Sequence, residues 1–298
     1  MGLFIEVLLP VVSVFALGYL IQKVKKLDVR SVSTVSLYIF LPALVFQTFY
    51  TTELNREFFT IISFSLLLFV ILVIINKLVS LIFRWKQEDE SAFLLSTAFM
   101  NAGNYGSPVI LFAFGEGAFA YAVILMAMQS FLMNLFGVFI ASRGSSGVLF
   151  ALRSVLKMPA TYAIALALLF QYWDVQLHSQ MMGIIDFLAV VTIPLMMIVL
   201  GMQLANISFK KFEVGRVVLA SSFRLILSPL IAFILSLFLP VSDLIASVFI
   251  VVAAMPSAAV TTMYALEFRV KPDLVSSITL VTTLCSVVTL SILLTILT

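Results

Sequence analysis

Charge is scarce in this chain. Asp, Glu, Lys and Arg make up 10% of its 298 residues, where a soluble domain carries roughly 25%. That deficit excludes the pair of soluble domains that the length would otherwise suggest. Histidine occurs once, as His178, and cysteine once, as Cys285. A single histidine excludes a histidine-based metal cluster and a Ser-His-Asp constellation. A single cysteine excludes an internal disulfide. Neither a Walker A run nor a dinucleotide fingerprint is present, so ATP does not drive this protein directly. The chain reads as a non-enzyme without a cofactor. Long hydrophilic loops and low-complexity segments are missing too. The N-terminus lacks a basic stretch, carries Glu6, and has no A-x-A site after its first apolar run. Residues 1–22 therefore read as a retained first helix rather than a signal peptide.

What is abundant is apolar sequence, 63% of the chain. A helix needs about 20 mostly apolar residues to cross a bilayer. Ten runs qualify: 3–22, 31–50, 58–83, 90–114, 117–141, 148–172, 182–205, 212–239, 242–266 and 272–297. The expected fold is an all-α polytopic membrane protein embedded in the lipid bilayer, one integral membrane domain with short connections. The net charge of +3 does not point to nucleic acid, because the basic residues sit in those connections. Lys23, Lys25, Lys26, Arg30, Arg84, Lys86, Arg143, Arg153, Lys157, Lys210, Lys211, Arg216, Arg269 and Lys271 all fall in a connection from an odd to the following even span or in the opening turns of that even span. The other side has Arg56 alone, while Lys77 and Arg224 fall inside spans. Positive residues stay in the cytoplasm, which predicts a multi-pass plasma-membrane protein with both termini outside.

The ten spans divide into two similar fives, residues 1–142 and 148–298. Pro10-Val11 recurs as Pro159-Ala160, Leu41-Pro42 as Ile193-Pro194, and Ala98-Phe99-Met100-Asn101 as Ala253-Ala254-Met255-Pro256. Glu116 and Lys271 each open the last span of a half. An odd number of spans per half places the second half upside down, a 5+5 inverted repeat. Secondary transporters are built this way, with the substrate site where broken helices meet at mid-membrane. Span four contains Asn101-Ala102-Gly103-Asn104-Tyr105-Gly106-Ser107-Pro108, and span nine Pro256-Ser257-Ala258-Ala259-Val260-Thr261-Thr262. Proline has no N–H and clashes with the preceding turn, so helix breaks are expected at Gly106, Pro108 and Pro256. Breaks at that depth are tolerated where they are protein-buried or line a wet cavity. Each leaves a helix N-terminus facing inward, which favours an anion.

These residues resemble the auxin efflux carrier family. The match runs through Ala254-Met255-Pro256, Ala265-Leu266-Glu267-Phe268 and Val270-Lys271-Pro272-Asp273, through Arg224-Leu225-Ile226-Leu227-Ser228-Pro229, and through Asn101 with Gly106-Ser107-Pro108. It covers the whole chain and lacks the long central loop of plant members, as bacterial short-loop members do. The resemblance implies crossed breaks in helices four and nine, a scaffold and a transport bundle, elevator-type motion, a homodimer, and kinship with bile acid/sodium symporters. Plant members tend to have Pro-Asn where Met100-Asn101 stands and an amide where Ser257 stands, so auxin itself does not fit.

The candidate substrate-binding set is Asn101, Gly103, Asn104, Tyr105, Pro256, Ser257, Ala258, Thr261 and Arg224. The two asparagines can donate to a carboxylate or satisfy freed backbone. Arg224, deep in span eight, is either a functional cation or snorkels toward the cytoplasmic face. Lys77, nearer the end of its span, reads as a snorkelling residue. Gln47, Gln129 and Gln203 are embedded amides that hydrogen bonds between helices explain as well as ligand contact does. The leading function is a secondary carrier of a small organic acid anion, a mono- or dicarboxylate. Sodium or proton coupling stays open, with Thr261, Thr262 and backbone carbonyls as sodium ligands. A sodium-coupled symporter and a membrane ligand sensor are the alternatives.

Overall fold

The structure is a computed structural model that describes residues 4–142, 148–207 and 213–298. Arg143, Lys210 and Lys211 lie outside the described residues. The fold is all-helical, with no strand among the described residues. Among the described residues seven helices are long and apolar enough to cross a membrane: α1 (Ile5–Lys25), α2 (Val29–Thr51), α3 (Arg56–Ile82), α6 (Glu116–Ala141), α9 (Ser179–Ala205), α10 (Val214–Phe238) and α13 (Pro272–Leu297). Between them lie shorter pieces: α4 (Gln87–Ala98), α5 (102–114), α7 (Val148–Leu156), α8 (Pro159–Tyr172), α11 (Asp243–Ala253) and α12 (Val260–Glu267).

Local chemistry sets the ends. The Asp28 carboxylate caps α2 by accepting from the N–H groups of Arg30 and Ser31, both at 3.2 Å. The Asn55 side chain caps α3 through the Phe58 N–H at 3.1 Å. Lys26 turns left-handed and donates its N–H to Gln22 O, closing α1. Gly115, at φ 78°, makes the turn between α5 and α6, a conformation glycine adopts without strain. Four prolines inside apolar helices follow a wider π-helical segment: Phe4–Leu8 precedes Pro10, Ser36–Phe40 precedes Pro42, Ala102–Gly106 precedes Pro108 and Phe223–Leu227 precedes Pro229. Proline supplies no N–H to the carbonyl four residues back. The π spacing reroutes the ladder, as where Ser107 N–H donates to Ala102 O and Ser228 N–H to Phe223 O.

The sequence reading is corrected at span 148–172. It is not one helix: it divides into α7 and α8 at Met158, which is extended at φ −83°, ψ 121°. Pro159 excludes Met158 from the helical region. The breaks expected in 90–114 and 242–266 are present, between α4 and α5 and between α11 and α12.

Two groups of helices pack around the middle of the molecule. In the first, α1 and α9 touch backbone to backbone. A methyl group on Gly18 would lie 2.2 Å from Ile198 O, and one on Gly201 2.0 Å from Phe15 O. Small residues at such a contact let helices approach closely in lipid, where apolar side chains have no reason to leave their surroundings. Helix α2 joins this group through Thr192 Oγ1, which donates to Phe40 O at 2.9 Å, and through Gln47 Nε2, which donates to Asp186 at 2.7 Å. Helix α8 joins through Gln171 Nε2, which donates to Thr52 O at 2.7 Å.

In the second group, Phe64 of α3 stacks on Phe249 of α11 with ring centroids 3.8 Å apart. The Thr97 hydroxyl of α4 donates to Asn76 Oδ1 of α3 at 2.7 Å. Lys77 pairs with Glu90 at 2.7 Å and stays exposed, in keeping with its reading as a snorkelling residue. Asp89, buried at the start of α4, pairs with Arg216 of α10 at 2.7 Å and with Lys271 just before α13.

The glycine contact makes a specific demand. Gly201→Ala should lower the thermal unfolding midpoint of detergent-purified protein, because overpacking a close contact costs about 1–3 kcal/mol. Gly215, with open space where a Cβ would go, should accept alanine without loss. Equal midpoints for the two variants would show that the α1–α9 contact is not tight.

Candidate functional site

The site forms where the two helix breaks meet. Helix α4 ends at Ala98, and Phe99 is extended at φ −108°, ψ 113°. Helix α11 ends at Ala253. The residues that follow each helix lie antiparallel, with Met100 opposite Ser257. Asn101 N–H donates to Pro256 O at 2.9 Å, and Ala258 N–H donates to Phe99 O at 3.0 Å. Non-helical backbone at this depth must find partners inside the protein, and each break supplies them to the other. Helix α13 supplies more. Thr282 Oγ1 accepts from Ser257 N–H at 3.2 Å, and the Thr279 hydroxyl lies 3.4 Å from that of Ser257. Ser286 donates to Tyr105 Oη at 3.3 Å.

On one side of this junction is a cavity of about 180 Å³. Its polar wall is Asn101, Asn104, Gln129, Ser130, Asn134 and Tyr264, and its apolar wall includes Met100, Met126, Met133, Met158 and Met196. Methionine is flexible and polarizable, so such a wall adapts to different apolar shapes. A second space of about 290 Å³ shares Leu37, Asn134, Met158 and Tyr264 with the first and is lined also by Lys157 and Glu267. The cavity therefore continues toward the end of the molecule that carries the basic connections.

Three features give the cavity an anion's complement. Helices α5 and α12 begin at its wall, through Ala102, Gly103 and Asn104 on one side and Ala259 and Val260 on the other. Each N-terminus carries roughly half a positive charge. Asn101 is 6% exposed, and its Nδ2 has no hydrogen-bond partner. A buried donor left unmade costs about 1–3 kcal/mol, so an acceptor brought within reach of Asn101 is favoured. By contrast, the amides of Asn134 and Gln129 are engaged: Asn134 Nδ2 donates to Ser130 O at 2.7 Å, Tyr264 donates to Asn134 Oδ1 at 3.2 Å, and Gln129 Nε2 reaches Ala98 O at 3.4 Å.

The residues singled out in the sequence separate into two sets. Asn101, Gly103, Asn104 and Ala258 line the cavity. Gly103 has little room for more, since a Cβ there would meet Met196 Cε at 2.8 Å. Tyr105, Pro256, Ser257 and Thr261 lie behind the wall: Tyr105 turns toward α13, and the Thr261 hydroxyl donates to Ala258 O at 2.7 Å. Gly106 and Pro108, expected as break points, lie instead inside α5: the break falls at 99–101, the π-helical turn absorbs the missing proline N–H, and Gly106 N–H donates to Asn101 O at 2.9 Å. Arg224 requires a correction on the snorkelling reading. It is 0% exposed, so it does not snorkel to a surface, and it is not on the cavity wall. Its guanidinium donates to Thr97 O at 2.6 Å, to Ala253 O at 2.5 Å and to the Ser228 hydroxyl.

Sequence reasoning missed Asn134, Tyr264, the methionine wall and the buried hydroxyls of α13. Asn134 carried the same signal as Gln129, an amide inside an apolar span. Thr279, Thr282, Thr283 and Ser286 are spaced three and four apart, which places them on one helix face, and all are buried.

Comparison with known proteins sets the chain among membrane transporters. Over 297 residues the chain is 29% identical to an uncharacterized transporter of Methanothermobacter thermautotrophicus, covering 96% of this chain and 95% of that one. It is 26% identical to the uncharacterized transporter MJ1031 of Methanocaldococcus jannaschii, covering 96% of each. Both relatives are archaeal, whereas the resemblance suggested a bacterial member. Residues 3–294 match the family model described as membrane transport protein. With helices of membrane-crossing length and nearly the whole chain matched, this protein belongs to the Mem_trans family of membrane transporters, the family of the auxin efflux carriers.

Proposed function

We propose that this protein is a secondary transporter for a small organic acid anion, bound in the cavity beside the paired breaks. The observation that carries the reading is Asn101, a residue of the cavity wall whose buried Nδ2 has no partner within the protein. Two helix N-termini facing the same space supply positive potential without a lysine or arginine on the inner wall. The bound anion sets its carboxylate against Asn101 and the N-termini, and its apolar part against the methionines. Asn104 and Ala258 complete the contact.

In this reading the architecture is ten spans in a 5+5 inverted repeat, residues 1–142 and 148–298. Spans four, six and nine are each made of two pieces, α4 with α5, α7 with α8, and α11 with α12, which leaves seven continuous helices. The α1, α2, α8 and α9 group serves as scaffold, and the group containing both breaks slides against it as an elevator. Since the cavity leads toward Lys157 and Glu267, the conformation is open to the cytoplasmic side. The protein lies in the cell membrane with both termini outside and works as a homodimer. A monoanion leaving a cell at about −100 mV gains roughly 2.3 kcal/mol, so export or downhill flux needs no coupling.

Two outcomes are expected. A thermal-shift screen against mono- and dicarboxylates identifies a ligand, and titration then compares variants. Asn101→Ala should weaken binding roughly tenfold to a hundredfold, since a hydrogen bond to a charged group contributes about 1.5–3 kcal/mol. Asn101→Asp should weaken it further, because it sets like charges together in a low-dielectric site. Unchanged affinity in a folded Asn101→Asp variant removes the anion from this cavity. Orientation has its own check. In a Cys285→Ser background, Arg56→Cys should react with an impermeant thiol reagent on intact cells and Lys86→Cys should not. The opposite labelling pattern inverts the topology.

A further inference from the structure

Arg224 is a buried cation whose neutralising charges lie on the main chain. No described carboxylate forms an ion pair with it. Its two terminal nitrogens bond instead to the carboxyl ends of two different helices. One donates to Thr97 O in the last turn of α4, and the other to Ala253 O, the last residue of α11. The Ser228 hydroxyl accepts from the same guanidinium and also donates to Ala253 O at 2.9 Å, so it fixes the second contact. A helix C-terminus carries roughly half a negative charge. Two of them converging on one guanidinium match its single positive charge.

The junction therefore has two poles. The C-termini of α4 and α11 converge on Arg224, away from the cavity. The N-termini of α5 and α12 face the cavity. A cluster of buried carbonyl ends is where a small metal cation would bind. Here a side chain of the protein already stands among them. The other oxygens considered for sodium, Thr261 Oγ1 and Thr262 Oγ1, donate to Ala258 O and Ala259 O, both at 2.7 Å.

We propose that Arg224 is the resident counter-cation of the junction: it holds the carboxyl ends of both broken helices and stands where a co-transported metal cation would bind, so the anion is carried without one. This makes Arg224 a positioning residue, acting through the two helix ends rather than by touching substrate. Only its consequence for coupling rests on the reading of the cavity as an anion site.

The test uses thermal unfolding of the purified full chain and involves no anionic substrate, so its failure is distinguishable from failure of the carrier reading. Arg224→Lys, which keeps the charge, should retain most of the wild-type midpoint. Arg224→Met, which keeps the stem and loses the charge, should unfold far lower or yield little monodisperse protein. Arg224→Ala should be restored by millimolar guanidinium chloride and not by equal choline chloride. The wild type should respond alike to sodium, potassium and choline chlorides. Equal behaviour of the Lys and Met variants, failure of guanidinium to raise the Ala variant, or stabilisation of the wild type by sodium alone would each overturn the proposal.

Discussion

The pairing of Asn101 N–H with Pro256 O and of Ala258 N–H with Phe99 O is the contact on which the rest of the structure depends. In an apolar surrounding an unpaired backbone group costs several kcal/mol, so one broken helix alone would be poorly tolerated. Two breaks facing each other exchange two hydrogen bonds in a short antiparallel bridge. That bridge fixes where α4 and α11 stop and where α5 and α12 begin. It therefore fixes the direction of four helix dipoles at once.

The polar side chains around the junction follow from that arrangement. Carbonyls at the ends of α4 and α11 need donors, and Arg224 with Ser228 supplies them from α10. Helix α13 presents Thr279, Thr282 and Ser286 to the back of the junction, where Ser257 and Tyr105 stand. Apart from Arg224 Nε, which has no partner, these groups are spent on structure. The unspent capacity is at the front, in the Asn101 amide and the two N-termini, and that asymmetry separates a binding face from a supporting face.

The cavity draws its walls from both packed groups. Leu37, Leu41 and Met196 come from α2 and α9, while Asn101 comes from the first break, Met126 and Asn134 from α6, and Tyr264 from α12 beyond the second break. Within each group the contacts are close: glycine against backbone at α1 and α9, stacked rings at Phe64 and Phe249. Between them the lining is methionine and leucine, side chains that can slide past one another with little directional loss. The proposed elevator movement needs that combination of rigid groups and a soft seam.

The sequence by itself determined the apolar spans and the two central breaks. Hydropathy acts over a continuous segment, and the missing N–H of Pro256 acts within one helical turn, so both are legible without knowing any neighbour; Pro108 lies inside α5, and its span breaks earlier, at 99–101, where the other break supplies the backbone partners. The same local rule held at Pro159, which sits near the middle of a span and divides it, though it read there as the interior of one helix. The destination of Arg224, the side of the wall on which Tyr105 and Thr261 fall, and the meeting of Asn134 with Tyr264 were decided by the tertiary structure alone. Each depends on how one helix is rotated against another, and that rotation is set by packing across more than a hundred residues of chain, which no local pattern encodes.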